Sequence, residues 1–160
     1  MSEPDTPALR ALAGSDLAFD VVRTQRARSA EESARFQGIG LEQLLRTIVV
    51  RRGEDDYVFV LVPGGRQLDW PKLRAHLGVS RLSLPDAEEA RRATGYERGA
   101  ITPLGSTTAW PVIADPSVPG LELVAIGGGA HGINLHLSGR DLVDHLGAEV
   151  ADVTKPQDRP

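Results

Sequence analysis

The chemistry this chain could perform is concentrated in two glycine-bearing stretches and one isolated cation. Between Thr94 and Gly105 it reads Thr-Gly-Tyr-Glu-Arg-Gly-Ala-Ile-Thr-Pro-Leu-Gly, and Gly127-Gly128-Gly129 follows about two dozen residues later. Neither stretch can be a helix interior, and each ends an apolar segment. Glycine admits positive φ and lets backbone or ligand approach closely, while proline fixes its own φ and bends the path. The pair suggests a pocket lined by main-chain groups, although any one of these glycines alone is more simply a tight turn. Arg46 interrupts the apolar run Leu44-Leu45-Arg46-Thr47-Ile48-Val49-Val50. A permanently charged guanidinium there must meet solvent, a carboxylate or a bound anion.

Other chemistries fail on spacing. Gly127-Gly128-Gly129-Ala130-His131-Gly132 satisfies G-x-G-x-x-G, with Asp152 twenty residues on. A dinucleotide fingerprint must open a helix, however, and the strand-like Ile133 to Leu137 follows instead. His76, His131, His136 and His145 show no metal-ligand spacing, so neither metal nor cofactor is expected. His131, inside the glycine cluster, is a candidate ligand contact. There is no G-x-S-x-G, and Ser106-Thr107-Thr108 has no histidine partner by spacing.

Bulk properties narrow the class. At 160 residues and 17.1 kDa the chain fits one domain with a core of its own. Cysteine is absent, which removes disulfides and thiolate chemistry and fits a reducing compartment. No apolar run approaches the roughly 20 residues of a membrane span, and the first twenty residues lack a signal-peptide pattern. A cytoplasmic location without a membrane partner is expected. The net charge of −4 argues against DNA and against a broad phosphate-tracking surface, but is compatible with gripping one end of an RNA.

The elements that must position these residues follow from caps and periodicity. Helices are expected at Pro7 to Leu12, at Ala30 to Gln37 behind the Ser29/Glu32 capping pair, and from Asp69 to Leu77. Two more follow Asp86 and Ser138. Strands are expected at Leu17 to Val22, Leu44 to Arg51, Tyr57 to Val62, Arg81 to Leu84, Trp110 to Ala114, Leu121 to Ile126 and Ile133 to Leu137. In the last, Ile133, Leu135 and Leu137 alternate with Asn134 and His136. The tail from Thr154 reads as disordered. Strands and helices interleave irregularly, which points to an α+β fold with a mixed sheet, curled or barrel-like, and helices outside.

Taken together, these segments resemble the YbaK/ProX family of aminoacyl-tRNA editing domains, the group associated with prolyl-tRNA synthetase. The resemblance runs from about Phe19 to Val153. Its most specific parts are Val62-Pro63 through Gln67-Leu68-Asp69 and the Thr94 to Gly105 stretch, completed by Asp115, Gly127-Gly128 and the strand after them. It implies a single domain over residues 1–153, a partial barrel with helices around it, and trans hydrolysis of a mischarged aminoacyl-tRNA ester. Such an ester is already activated, so positioning, charge stabilisation and an ordered water suffice.

The implied partners are the 3′ end of an aminoacyl-tRNA and, as a presenter of that tRNA, a prolyl-tRNA synthetase. The implied catalytic pair is Arg46 and Asn134. The implied substrate contacts are Thr47, Gly99, Ile101, Thr102, Pro103, Gly105, Gly127, Gly128 and His131. Two positions depart from the family pattern. Arg46 stands where lysine precedes threonine, keeping the charge but unable to accept a proton, and Asn134 stands where aspartate is common. An aromatic often found on the first strand is also replaced near Arg23-Thr24. These departures leave two other readings open: a catalytically silent module that binds an aminoacylated end or a synthetase, and an esterase for small acylated metabolites.

Overall fold

The computed structural model describes residues 4–157. Five α-helices and nine strands alternate along the described chain in the order α1 (Pro7–Ala13), β1 (Asp20–Arg23), α2 (Ala30–Gln37), β2 (Leu45–Gly53), β3 (Asp56–Pro63), β4 (Arg66–Leu68), α3 (Trp70–Leu77), α4 (Ala87–Thr94), β5 (Val112–Ala114), β6 (Val124–Gly127), β7 (Ile133–Leu137), α5 (Gly139–Leu146), β8 (Glu149–Val150) and β9 (Thr154–Pro156). The helix starts follow from their caps. Ser29, Asp69, Asp86 and Ser138 each accept a hydrogen bond from the main-chain N–H three residues on, at 2.8–3.2 Å.

The strands form three separate small sheets, ordered β1-β7-β6, β2-β3-β5-β8 and β4-β9. The expected single curled or barrel-like sheet is therefore not found. The physical reason lies at β2, an edge strand that packs against β6 but among the described residues is bridged to it only just before its start, by the parallel pair Leu44 and Ala125. Hydrogen bonding stops there instead of continuing into closure.

Two apolar clusters sit on opposite faces of the β2-β3-β5-β8 sheet. Leu45, Val49, Phe59 and Leu61 pack with Leu135, Leu137 and Leu142 in one. Val50, Val58, Val60 and Val62 pack with Leu68, Leu73 and Val153 in the other. The alternation along β2 and β3 follows from the two-residue period of a strand, and β3 is buried on both faces as its uninterrupted apolar run requires.

The tail is a correction. Thr154–Pro156 pairs antiparallel with β4, and Thr154 is fully buried. Its hydroxyl donates to Asp115 Oδ1 at 2.7 Å and accepts from Arg66 Nε at 2.7 Å. Those two partners, distant in sequence, order a segment whose own composition reads as loose. Residues 158–160 of that expected tail lie outside the described residues. The expected strand Arg81 to Leu84 reduces to a bridge between Ser83 and Arg51, at the point where the β2 register becomes irregular between Arg51 and Gly53.

Candidate functional site

The site is built around the open edge of β2. Gly64 N–H donates to the Leu44 carbonyl, and Arg51 exchanges two main-chain hydrogen bonds with Ser83. These contacts fix the alternation between them. Residues 46, 48 and 50 turn their main-chain groups to β3, and Thr47 and Val49 turn theirs outward. Side chains alternate too, so Arg46 and Thr47 flank the edge from opposite faces.

A hollow of about 600 Å³ lies against this edge. Arg46, Thr47, Gly99, Ile101, Gly127 and Asn134, all expected site residues, line it together, with Leu45, Val49, Ala90 and Leu84 supplying apolar wall. A second hollow of about 350 Å³ adjoins it, sharing Ser33, Gly99, Ile101, Gly127 and Asn134 and adding His131.

The loop that roofs the hollow is held from below. Tyr96, only 3% exposed, donates its hydroxyl to the Leu104 carbonyl at 2.6 Å. Its own N–H is accepted by Thr94 Oγ1, and Trp110 Nε1 donates to the Ala93 carbonyl. At Gly99 the chain takes φ +91°, and a Cβ there would lie 2.9 Å from His131 Cε1. This position therefore favours glycine for its conformation, and any side chain there would displace the exposed His131 ring. Gly127 passes close under the roof, where an added Cβ would sit 4.0 Å from the Ile101 carbonyl oxygen.

Four expected contacts lie elsewhere. Thr102 is fully buried, with Oγ1 accepting from Leu104 N–H. Pro103 lines a different hollow, with Trp110 and His145. Gly105 packs against the Pro7 main chain. Gly128 is buried, its N–H bonded to the Ile133 carbonyl and its carbonyl to Thr6 Oγ1. All four hold the two loops in place; none lines the hollow.

Polar groups at the rim are unevenly satisfied. Arg46 Nη2 donates to the Arg66 carbonyl at 2.7 Å, whereas Arg46 Nε and Thr47 Oγ1 are buried with no hydrogen-bond partner among the described residues. Asn134 Nδ2 donates to the Val22 carbonyl at 3.1 Å and to Thr24 Oγ1 at 3.2 Å. Beside it, His136 Nε2 meets Gln37 Oε1 at 2.9 Å. Burial pushes the His136 pKa down, against the opposing pull of Asp20, so this imidazole is neutral at pH 7. Among the described residues no group of three His, Asp or Glu could hold a metal ion, and no helix is long and apolar enough to cross a membrane.

The family described as aminoacyl-tRNA editing domain matches residues 24–145. The chain belongs to this family, of YbaK/ProX type. It is 31% identical over 121 residues to the proline--tRNA ligase of Thermosipho melanesiensis, covering 74% of this chain and 21% of the ligase. The chain thus spans about a fifth of the curated ligases it matches. It is 23% identical to the "Putative Cys-tRNA(Pro)/Cys-tRNA(Cys) deacylase EbsC" of Enterococcus faecalis, covering 79% and 77% of the two chains. A solved structure described as "a putative trans-editing enzyme for prolyl tRNA synthetase" superimposes with a TM-score of 0.86 at 28% identity, covering 96% of this chain and 99% of the other.

Several lining residues escaped the sequence reading. Ser33 on α2, Arg98 in the loop, and Leu84 and Asp86 before α4 complete the walls. Ser33 had a signal in principle, lying one turn past the Ser29 cap on the helix side facing β7. Leu84 and Asp86 had none, since their approach depends on the Ser83 bridge.

Proposed function

We propose that this chain hydrolyses the ester of a mischarged aminoacyl-tRNA in trans, removing cysteine or another small amino acid. The observation that carries the reading is the convergence of Arg46, Thr47, Gly99, Ile101, Gly127 and Asn134 on one hollow. Its apolar wall suits a small acyl side chain, and its open strand edge offers donors to a carbonyl.

Water attacks the acyl carbon, the carbon–oxygen bond to the ribose breaks, and the departing ribose oxygen takes the proton. Negative charge builds on the former carbonyl oxygen, where the outward N–H groups of Thr47 and Val49 and the nearby guanidinium of Arg46 oppose it. Preorganised donors of this kind contribute most when water is excluded. Arg46 cannot serve as the base, so the substrate's free ribose hydroxyl orients the water. Asn134 fixes the wall against which that hydroxyl rests. The resemblance to proline--tRNA ligases and to the deacylase from Enterococcus faecalis supports both the substrate class and the association with a prolyl-tRNA synthetase.

The test is deacylation of a panel of mischarged tRNAs by the purified chain. Enzyme-dependent loss of ester is expected for at least one small amino acid. Tight binding without turnover of any of them would replace this reading with a silent binding module. The engagement of Arg46 by the Arg66 carbonyl is the feature favouring that rival.

A further inference from the structure

A separate hollow, of about 520 Å³, lies further along the same strand and has no part in the reaction described above. Its lining contains four guanidinium-bearing residues, Arg51, Arg52, Arg74 and Arg81, with Gly53, Ser80, Leu82 and Ser83, and no carboxylate. Two of these cations are already paired: Arg51 with Glu89 at 3.2 Å and Arg52 with Asp56 at 3.0 Å. Arg74 and Arg81 make no side-chain hydrogen bond or ion pair among the described residues. With Arg51 and Arg52 each offset by a carboxylate, Arg74 and Arg81 leave a net positive charge in one concavity, and a low-dielectric wall concentrates their field. In a protein of net charge −4 this is a local reversal of sign.

Position supplies the ligand class. The hollow against Arg46 includes Val49 and Leu84, and the arginine hollow includes Arg51 and Ser83. Their linings run on from one another along both segments, and the bridge between Arg51 and Ser83 lies where they meet. From Arg46 to Arg51 is five strand residues, about 17 Å. We infer that the arginine hollow binds phosphodiester groups of the RNA whose aminoacylated 3′ end occupies the first hollow, so that Arg74 and Arg81 neutralise backbone phosphates upstream of the ester. This rests on the proposed action on aminoacyl-tRNA, but its test does not require hydrolysis.

The probe is an uncharged RNA hairpin carrying a tRNA acceptor stem with its single-stranded 3′ end, and the readout is binding as a function of salt. Replacing both free cations, Arg74→Ala with Arg81→Ala, should weaken binding and make the slope of log K against log salt shallower by about 1.5, as expected for two lost phosphate contacts. Arg74→Lys with Arg81→Lys should restore most of the slope, which separates charge from packing. Arg10→Ala with Arg140→Ala removes the same charge elsewhere and should leave the slope at the wild-type value. An unchanged slope in the Arg74/Arg81 alanine pair overturns the inference. So does saturable binding of inorganic phosphate at this hollow without binding of the hairpin, which would make it a free-phosphate site. Absence of ester hydrolysis with the predicted slope change would instead remove the proposed catalysis and leave the RNA surface standing.

Discussion

Arg46 Nη2 donates to the carbonyl of Arg66 at 2.7 Å while its Nε, buried, has no hydrogen-bond partner among the described residues. One side of the guanidinium is thus anchored to β4, and another donor is left over beside the hollow. If the proposed reaction holds, this half-satisfied guanidinium is the group that meets the charge arriving with the substrate.

Arg46→Ala removes both the anchor and the unused donor. A fall in kcat/KM of about 100-fold is expected, the scale of losing one preorganised donor. Arg46→Lys keeps the charge without the fork and should fall in between. Single-turnover deacylation of the best substrate from the panel measures both.

Thr47→Val isolates the neighbouring hydroxyl. Thr47 Oγ1 is buried without a hydrogen-bond partner among the described residues, so exchanging it for a methyl should leave the urea midpoint unchanged or slightly higher. If the hydroxyl meets the substrate, KM for the aminoacyl-tRNA rises in the same variant. A protein of equal stability and unchanged KM would remove Thr47 from the site.

Asn134→Asp should be unfavourable here. A carboxylate cannot donate to the Val22 carbonyl that Asn134 Nδ2 now serves, and two acceptors would face each other. A loss of about 1–3 kcal/mol is expected by denaturant titration.

Gly99→Ala forces a side chain into φ +91° and against the His131 ring. About 1–2 kcal/mol of destabilisation is expected from the backbone alone. Pairing it with His131→Ala should relieve the steric part, so a double-mutant cycle measures how tightly loop and glycine cluster are coupled.

Asp115 predicts the acid limb of stability. Burial pushes its pKa up, but hydrogen bonds from Ser117 and Thr154 outweigh this and hold it below the usual carboxylate range. The folded value is the lower one, so the stabilisation is complete above about pH 4, where the unfolded carboxyl ionises. It is lost as pH falls through the folded value. Thr154→Val should lower the urea midpoint at pH 7 and flatten its fall toward pH 3.

The local elements were legible because their signals are local. Ser29, Asp69, Asp86 and Ser138 bond to residues three positions away, and the apolar run of β3 announces a strand buried on both sides. The hollow was half legible: Arg46 betrayed itself as a cation within an apolar strand, and Gly99 and Gly127 as bends after apolar segments. Composition could not separate glycines that face a hollow from Gly105 and Gly128, which admit neighbouring main chain. Nor could it show Thr154 meeting Arg66 and Asp115, 88 and 39 positions away. The single curled sheet failed for the same reason, since whether β2 and β6 close depends on one bridge between remote residues.

The anchoring carbonyl of Arg66 belongs to a three-residue strand whose only sheet partner among the described residues is β9. A nascent polypeptide that has exposed β2, β3 and β4 therefore still lacks the brace for Arg46, and acquires it only when residues 154–156 have emerged and docked. The brace would then be completed late and all at once during synthesis, and a product cut short of residue 154 would leave the Arg46 guanidinium without it.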